Sequence, residues 1–278
     1  MDAENLLKQG DLDGALAALQ QSIRKEPENP RLRVFLFQLL CIMGNWQRAV
    51  AQLKTCATLD PSCENMAQTY RSAILCEIFR EKVFDGTKPP LVFGEPDGWI
   101  AGLIEALRLE ARGERDACEA LRQKSFEAAP AVSGVVNGQP FSWIADADPR
   151  LGPILEIIVN GRYFWAPFSS IRRLCMEAPA DLRDYVWMPA EITWHNGGST
   201  VALIPTRYDG SETSADGNVR LARHTNWITE GERVLKGQGQ RLLATDAEDI
   251  ALMNLRELTL GEAAIVAPVP EPAVSNDG

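Results

Sequence analysis

The stretch RLGPILEIIVNGRYFW, residues 150–165, predicts a β-hairpin at the point where the character of the chain changes. Residues 154–159 are apolar and mostly β-branched apart from Glu156, which is typical of a largely buried strand. Asn160 and Gly161 follow, and both accept a positive φ at little cost, as a two-residue turn requires. The residues before this hairpin predict mainly helices, and those after it predict a mixture of strands and helices. The hairpin therefore opens a second domain.

The first half of the chain carries a repeat. Seven positions recur at a spacing of 34 residues, the period of the tetratricopeptide repeat. They are Gly10, Leu12, Ala15, Leu16, Leu19, Ser22 and Pro27, matched by Gly44, Trp46, Ala49, Val50, Leu53, Cys56 and Pro61. A partial third copy is formed by Gly113, Cys118, Ser125 and Pro130, after a long helix predicted over residues 65–84 and a loop over residues 85–98. We expect residues 1–130 to form a tetratricopeptide-like helical domain.

Stacked helical hairpins leave a concave face, which commonly receives a peptide or a helix of another protein. By analogy with the repeat, five residues are expected to face this groove. They are Arg31, Val34, Gln38, Cys41 and Ile42. The alternative is that Val34, Cys41 and Ile42 belong to the core between neighbouring helices.

Residues 139–263 predict an α+β domain, preceded by a loop over residues 131–138. Besides the hairpin, strands are expected in residues 185–194, 201–208, 219–228, 237–244 and 257–260. Helices are expected in residues 167–177 and, after the capping pair Thr245 and Glu248, in residues 246–256. The tail, residues 264–278, is rich in proline and is expected to be disordered. The fold class is thus multidomain, with helical hairpins followed by a mixed, mostly antiparallel β domain with short helices.

Composition limits the classes of partner and compartment. The net charge is -10, and neither half offers the basic stripe that binds phosphate, so we expect no nucleic acid and no membrane surface as partner. No apolar run reaches the roughly 20 residues of a membrane helix. The first ten residues do not resemble a secretory signal, and the six cysteines lack zinc-site spacing, so a cytoplasmic protein is expected.

Residues with catalytic potential are few. His195 and His224 have no partner at metal-ligand spacing. Asp146, Asp148 and Glu156 could form a carboxylate pair for acid–base chemistry. The alternative is that these aspartates cap turns or pair with an arginine, Arg150 or Arg183. With no phosphate loop and no nucleophile elbow in the sequence, we expect no enzyme, no cofactor and no metal.

Several motifs in the second half resemble those of the ImpE family, also called TagJ or SciE-type proteins, which are accessory components of bacterial type VI secretion systems. The resemblance extends to about Leu260. It depends on residues 146–153 (DADPRLGP), 161–165 (GRYFW), 182–184 (LRD) and 237–241 (GQGQR), with Trp187 and Pro189-Ala190. The positions taken from these motifs are Asp146, Asp148, Arg150, Gly152, Pro153, Tyr163, Trp165, Arg183, Asp184, Trp187 and Pro189. Ala222 stands where the family has a glycine before Arg223.

The resemblance implies a non-enzymatic adaptor. Similar proteins bind the small sheath subunit through a helix near the N-terminus of that subunit, and some are linked to the ClpV AAA+ ATPase, which dismantles the sheath. Two alternatives remain open. One is a scaffold that forms a homo-oligomer or holds sheath subunits without the ATPase. The other is a hydrolase that uses the carboxylates of the second domain.

Overall fold

The computed structural model describes residues 2–95 and 97–261 of the chain. Seven helices occupy the first half of this described part. They are α1 (Ala3–Lys8), α2 (Leu12–Lys25), α3 (Pro30–Ile42), α4 (Trp46–Leu59), α5 (Glu64–Phe84), α6 (Gly98–Ala111) and α7 (Arg115–Ala128). The pairs α1–α2, α3–α4 and α6–α7 are helical hairpins, and α5 is the long helix that the sequence predicts between the second and third copies of the repeat.

The repeated positions have the geometry that the repeat requires. Gly10, Gly44 and Gly113 each follow the first helix of a hairpin and have φ values of 80°, 69° and 76°. A residue with a Cβ is strained in this left-handed region, so glycine ends the helix and starts the turn. Ala15 and Ala49 are fully buried where the helices approach each other. The predicted helical repeat is confirmed.

Fourteen strands and one further helix are found in the described residues. The strands are β1 (Leu91–Val92), β2 (Gly134–Val136), β3 (Gln139–Phe141), β4 (Ile144–Asp146), β5 (Ile154–Val159), β6 (Arg162–Pro167), β7 (Ile171–Cys175), β8 (Trp187–Trp194), β9 (Ser199–Pro205), β10 (Thr225–Glu230), β11 (Arg233–Gly239), β12 (Leu242–Thr245), β13 (Asp249–Ala251) and β14 (Glu257–Leu260). The helix α8 (Gly217–Arg220) lies between β9 and β10.

The strands form three sheets. Nine of them lie in the order β1-β6-β5-β9-β8-β7-β14-β2-β3, three in the order β13-β12-β4, and β10 pairs with β11. The pair β1–β6 is parallel, and the other strand pairs are antiparallel. The fold is therefore the expected one, with helical hairpins followed by a mixed, mostly antiparallel sheet. The strand β2 corrects the expected loop over residues 131–138, since residues 134–136 pair with β3 and β14.

The hairpin predicted from residues 150–165 is confirmed. Strands β5 and β6 pair from Ile154 with Pro167 to Val159 with Arg162. Asn160 and Gly161 form the turn with φ values of 49° and 69°. Positive φ at both positions gives the turn a twist that matches the twist of the two strands. All six residues of β5 are buried, because the sheet is covered on both faces at this position.

The helix predicted over residues 167–177 is wrong. Residues 168–170 form one 3-10 turn, and the strand β7 follows, paired with β8 on one side and β14 on the other. The register of β7 against β8 shifts between Ile171 and Arg173. This irregularity breaks the alternation of apolar and polar residues that identifies a strand in a sequence.

The helix predicted over residues 246–256 is also wrong, although its capping signal is real. The hydroxyl of Thr245 accepts hydrogen bonds from the backbone N–H groups of Ala247 (3.1 Å) and Glu248 (3.0 Å). These bonds close the turn between β12 and β13 instead of starting a helix. Threonine hydroxyls stabilise both kinds of structure, so the local pattern does not distinguish them.

The two halves share one hydrophobic core. Phe37 and Ile74 of the helices belong to the same buried cluster as Ile154, Trp165 and Trp187 of the sheet. The opposite face of the sheet is covered by a second cluster, built almost entirely from the second half of the chain. The helical half therefore packs on one face of the nine-stranded sheet.

Within the described part of the chain, no helix combines the length and apolar character needed to cross a membrane. The tail predicted to be disordered, residues 264–278, lies outside the described residues.

Candidate functional site

The concave face of the helical half is occupied by the sheet half of the same chain. Cys41 and Ile42 are fully buried, and their carbonyl oxygens accept hydrogen bonds from Arg207 at 3.3 Å and 2.8 Å. Gln38 is 8% exposed. The expectation that Cys41 and Ile42 face an open groove is therefore wrong, and the alternative that both belong to the core is correct.

A cavity of about 540 Å³ remains at the edge of this face, between α1, α3 and the sheet half. We call it the α1–α3 cavity. Its apolar lining consists of Leu7, Leu32, Phe35, Leu182, Tyr185 and Leu221. Of the five residues predicted for the groove, Arg31 and Gln38 line this cavity. Val34 is half-buried and is not part of the lining.

Two arginines of the sheet half bind the carboxyl ends of the helices beside this cavity. Arg223 donates to the carbonyl oxygens of Leu7 (2.7 Å) and Lys8 (3.0 Å) at the end of α1. Arg207 does the same at the end of α3. The last carbonyls of a helix have no partner within the helix and carry partial negative charge, so a guanidinium satisfies both requirements. Burial lowers the pKa of Arg207.

The carboxylates of the hairpin region lie in a buried network of arginines. Glu156 is fully buried. It accepts hydrogen bonds from Arg80 Nε at 2.6 Å and Nη2 at 2.9 Å, and also from Arg241 and the Tyr163 hydroxyl. The carboxylate therefore has two positive partners, one on α5 and one on the segment between β11 and β12.

Asp146 and Asp148 belong to the same buried region. Asp146 pairs with Arg241, and one of its oxygens accepts the Asp148 N–H at 2.9 Å. Asp148 pairs with Arg150 at 2.7 Å and accepts the Gly237 N–H at 3.0 Å. Of the two arginines predicted as alternative partners, Arg150 pairs with Asp148, whereas Asp146 pairs with Arg241.

The charges in the network shift the pKa values of its carboxyl groups in opposite directions. Burial disfavours the ionised form of Glu156, but Arg80 and Arg241 outweigh burial and lower its pKa to about 2. For Asp146, burial outweighs the single guanidinium of Arg241, Asp148 adds repulsion, and the pKa rises to about 7. The two guanidinium groups therefore keep Glu156 ionised, whereas Arg241 alone does not offset the burial of Asp146.

The other residues of the hairpin motif serve packing and backbone geometry. The Trp165 indole N–H donates to the Tyr163 hydroxyl at 2.8 Å, and both rings are buried. Gly152 has a φ of 55°, and a Cβ there would lie 2.3 Å from Phe126. The carbonyl of Pro153 accepts the Phe168 N–H at 3.1 Å.

A second group of motif residues joins α5 to the turn before β8. The Trp187 indole N–H donates to Glu77 at 2.9 Å. Arg183 pairs with Asp181, and its guanidinium carbon lies 4.8 Å from the centre of the Tyr70 ring. Asp184 lies in the same turn, and Pro189 lies in β8.

Asp184 accepts the backbone N–H groups of Ala180 (2.6 Å) and Asp181 (3.0 Å), which fixes this turn. Pro189 is exposed on β8. The motif residues therefore do not meet in one solvent-accessible site. They hold the hairpin, the turn before β8 and the long helix α5 together.

The three carboxylates considered for acid–base chemistry are at most 3% exposed, and each is paired with an arginine. This is the arrangement of structural ion pairs, because a general acid or base must reach a substrate. One pattern in the sequence of α5 indicates this network. Glu77 and Arg80 continue the apolar stripe of Tyr70 and Ile74 on α5, and charged residues in such a stripe indicate a buried partner.

The network predicts a specific dependence of stability on pH. Glu156→Gln is expected to lower the free energy of unfolding above about pH 5, and to lower it less in more acidic solution. An unfolded glutamate takes up a proton near pH ~4.3, whereas folded Glu156 keeps its charge down to about pH 2. The stabilisation by ionised Glu156 is therefore complete above the unfolded pKa and is lost as the pH falls towards the folded pKa.

The difference in the free energy of unfolding between wild type and Glu156→Gln is measured by urea unfolding at several pH values between about pH 6 and pH 3. The control is Glu257→Gln, because Glu257 forms an exposed pair with Arg173 and such pairs contribute about 1 kcal/mol or less. A difference between wild type and Glu156→Gln that is as large at pH 3 as at pH 6 would contradict the prediction.

Comparisons with known proteins agree with this architecture. The family model of the ImpE protein matches residues 138–259, and a tetratricopeptide repeat model matches residues 6–71. The crystal structure of protein VPA1032 from Vibrio parahaemolyticus superimposes with a TM-score of 0.84 and 25% sequence identity, covering 94% of this chain and 97% of that one.

The chain is 54% identical over 258 residues to the type VI secretion system accessory component TagJ of Pseudomonas aeruginosa. This match covers 93% of the chain and 90% of its relative. Similarity over almost the full length of both proteins includes the helical half and the sheet half together. The chain therefore belongs to the ImpE/TagJ family of type VI secretion system accessory proteins.

Proposed function

We propose that this protein is a non-enzymatic adaptor that binds a helix of the small sheath subunit of a type VI secretion system in the bacterial cytoplasm. Its family membership supports the secretion system as the setting, and the tetratricopeptide-like hairpins support a protein partner. The observation that carries the proposal is the α1–α3 cavity, which remains open on a face that is otherwise filled by the sheet half.

The cavity has the properties of a site for an apolar anchor residue. Its volume of about 540 Å³ lies within the range of ordinary ligand sites. The lining is largely apolar, and charged side chains of both signs surround it: Glu4, Lys8, Arg31, Asp181 and Arg223. An amphipathic helix can insert one or two large side chains into such a cavity and keep its polar face outside. A second surface would then be free to link the sheath to the ClpV ATPase.

Binding of the sheath helix is expected to depend on the cavity lining. Leu32→Glu places a carboxylate among apolar side chains, where a charge is costly without a partner. We expect the dissociation constant to rise at least tenfold, or about 1.4 kcal/mol. The measurement is fluorescence anisotropy with a labelled peptide of the N-terminal helix of the sheath subunit.

The matched control is Leu59→Glu, the same substitution at a 37% exposed leucine of the helical half that does not line the cavity. This variant is expected to bind within about twofold of wild type. Absence of binding at micromolar concentration by the wild-type protein would reject the adaptor. A stable oligomer in light scattering, strengthened by sheath subunits, would support the scaffold instead. The exposed strand β10, with Trp227 36% and Ile228 38% exposed, favours that alternative.

A further inference from the structure

A second groove lies on the opposite side of the turn formed by residues 181–185. It runs between the first half of α5 and strands β8 and β9, and we call it the α5–β9 groove. Two adjoining depressions form it, with volumes of about 520 Å³ and 470 Å³, and Val201 lines both. One wall is the face of α5 that carries Gln68, Thr69 and Ser72. Asp181 lines this groove and also the α1–α3 cavity.

The two most exposed large apolar side chains of the described residues belong to this region. Val201 is 75% exposed and Leu75 is 57% exposed. Leu75 lines neither depression, but it follows Ser72 on α5 by about one helical turn, so it lies on the same side of the helix next to the groove. The exposure of Val201 has a geometric cause. In β9, Val201, Leu203 and Pro205 face the helical half, and the helices cover Leu203 and Pro205 but end before Val201.

Val201 lies where the helices end and the face of the sheet becomes exposed. The fold does not require a valine at this position, since a β-strand also accepts threonine where it is exposed. Apolar side chains that cluster on a surface and are rimmed by polar groups mark interaction sites. Here the rim is polar along α5 and charged at the other end of the groove.

The charged end is acidic. Four carboxylates line it, those of Glu177, Asp181, Asp184 and Glu191, against the single guanidinium of Arg183. That guanidinium is already engaged by Asp181. Four negative charges and one positive charge leave a net charge of -3. Glu177 and Glu191 are exposed, so their charges are available to a partner at the surface.

We propose that the α5–β9 groove docks an amphipathic helix of a protein partner that carries basic residues at one end. The apolar stripe of that helix would cover Val201 and Leu75, and its lysine or arginine side chains would lie beside Glu177 and Glu191. Complementary charge then sets the direction in which the helix lies. This surface is distinct from the α1–α3 cavity and gives the protein a second site for a partner.

Two synthetic helical peptides of about 18 residues test the proposal with the full-length protein. Both carry the same apolar stripe, and one end is lysine-rich in the first peptide and glutamate-rich in the second. Fluorescence anisotropy is expected to show at least tenfold tighter binding of the lysine-rich peptide, with an affinity that falls as salt is added. Val201→Glu and Leu75→Glu should each weaken it at least tenfold. The control Leu91→Glu, at a 38% exposed leucine elsewhere on the surface, should not.

The double variant Glu177→Lys with Glu191→Lys is expected to reverse the preference between the two peptides. Because these side chains are exposed, the variants should keep the circular dichroism spectrum of the wild type. Equal binding of both peptides, or binding that Val201→Glu leaves unchanged, overturns the proposal. A dimer of the wild-type protein that Val201→Glu dissociates would also overturn the proposal, because it would assign the groove to a second copy of the chain. Leu32→Glu should leave this binding intact, which separates the result from that of the α1–α3 cavity.

Discussion

Arg241→Met is expected to destabilise the protein by about 3–5 kcal/mol, the cost of leaving buried charges without their partner. Arg241 is fully buried and bridges Asp146 and Glu156. It also donates to the carbonyl of Pro205 at 2.9 Å. Removing the guanidinium leaves Asp146 with a backbone N–H as its hydrogen-bond donor, and leaves Glu156 with Arg80 and Tyr163. The measurement is the free energy of unfolding in urea.

The matched control is Arg173→Met, which breaks the exposed pair of Arg173 with Glu257. Both side chains of that pair are more than half exposed, so the expected loss is about 1 kcal/mol or less. Arg241→Lys should be intermediate, because an ammonium keeps the charge but cannot bridge two carboxylates in the fixed geometry of a guanidinium. An Arg241→Met protein within about 1 kcal/mol of wild type would show that the network does not stabilise the fold.

Trp187→Ala is expected to cost about 3–5 kcal/mol, because it opens a cavity in the core that joins the two halves. Trp187 is fully buried. Its ring centre lies 5.7 Å from that of Tyr70 on α5 and 6.3 Å from that of Trp46 on α4. The substitution also removes the indole N–H that binds Glu77, whose pKa burial already raises. Thermal and urea unfolding should both show the loss.

Trp143→Ala is the matched control, since Trp143 is 41% exposed and surface substitutions change stability by about 0.5 kcal/mol. Trp187→Phe separates the two contributions, because phenylalanine keeps a ring but removes the N–H donor. We expect it to cost about 1–3 kcal/mol, the penalty for an unsatisfied buried group. Similar unfolding for wild type and Trp187→Ala would contradict the shared core.

The parts of the fold that depend on local geometry could be predicted from the sequence. Gly10 and Gly44 end helices at a fixed spacing, and Asn160 with Gly161 forms a turn, because these residues tolerate the required φ values. The strand β7 could not be predicted in this way. It is defined by pairing with β8 and with β14, which is more than 80 residues further along the chain, and the register shift after Ile171 hides its pattern.

Most contacts of the candidate site could not be predicted from the sequence, because they also join residues that are far apart in the chain. A repeat predicts that Cys41 and Ile42 face a groove, but the repeat carries no information on what fills the groove. Arg207, which binds the carbonyls of both residues, is distant in sequence and belongs to no motif. The pairing of Asp148 with Arg150 was predictable because the two residues are close neighbours. The pairing of Glu156 with Arg80, at a separation of 76 residues, was not.

The position of β14 has a consequence for how the protein is made. This strand is the last in the described chain, yet it lies inside the nine-stranded sheet, between β7 and β2. While the ribosome is still synthesising residues before Glu257, β7 and β2 each present an unpaired edge, which can pair wrongly with another nascent chain. Such distant pairing slows folding. The helical hairpins can form during translation, but the sheet that fills their concave face can close only after Leu260 has emerged.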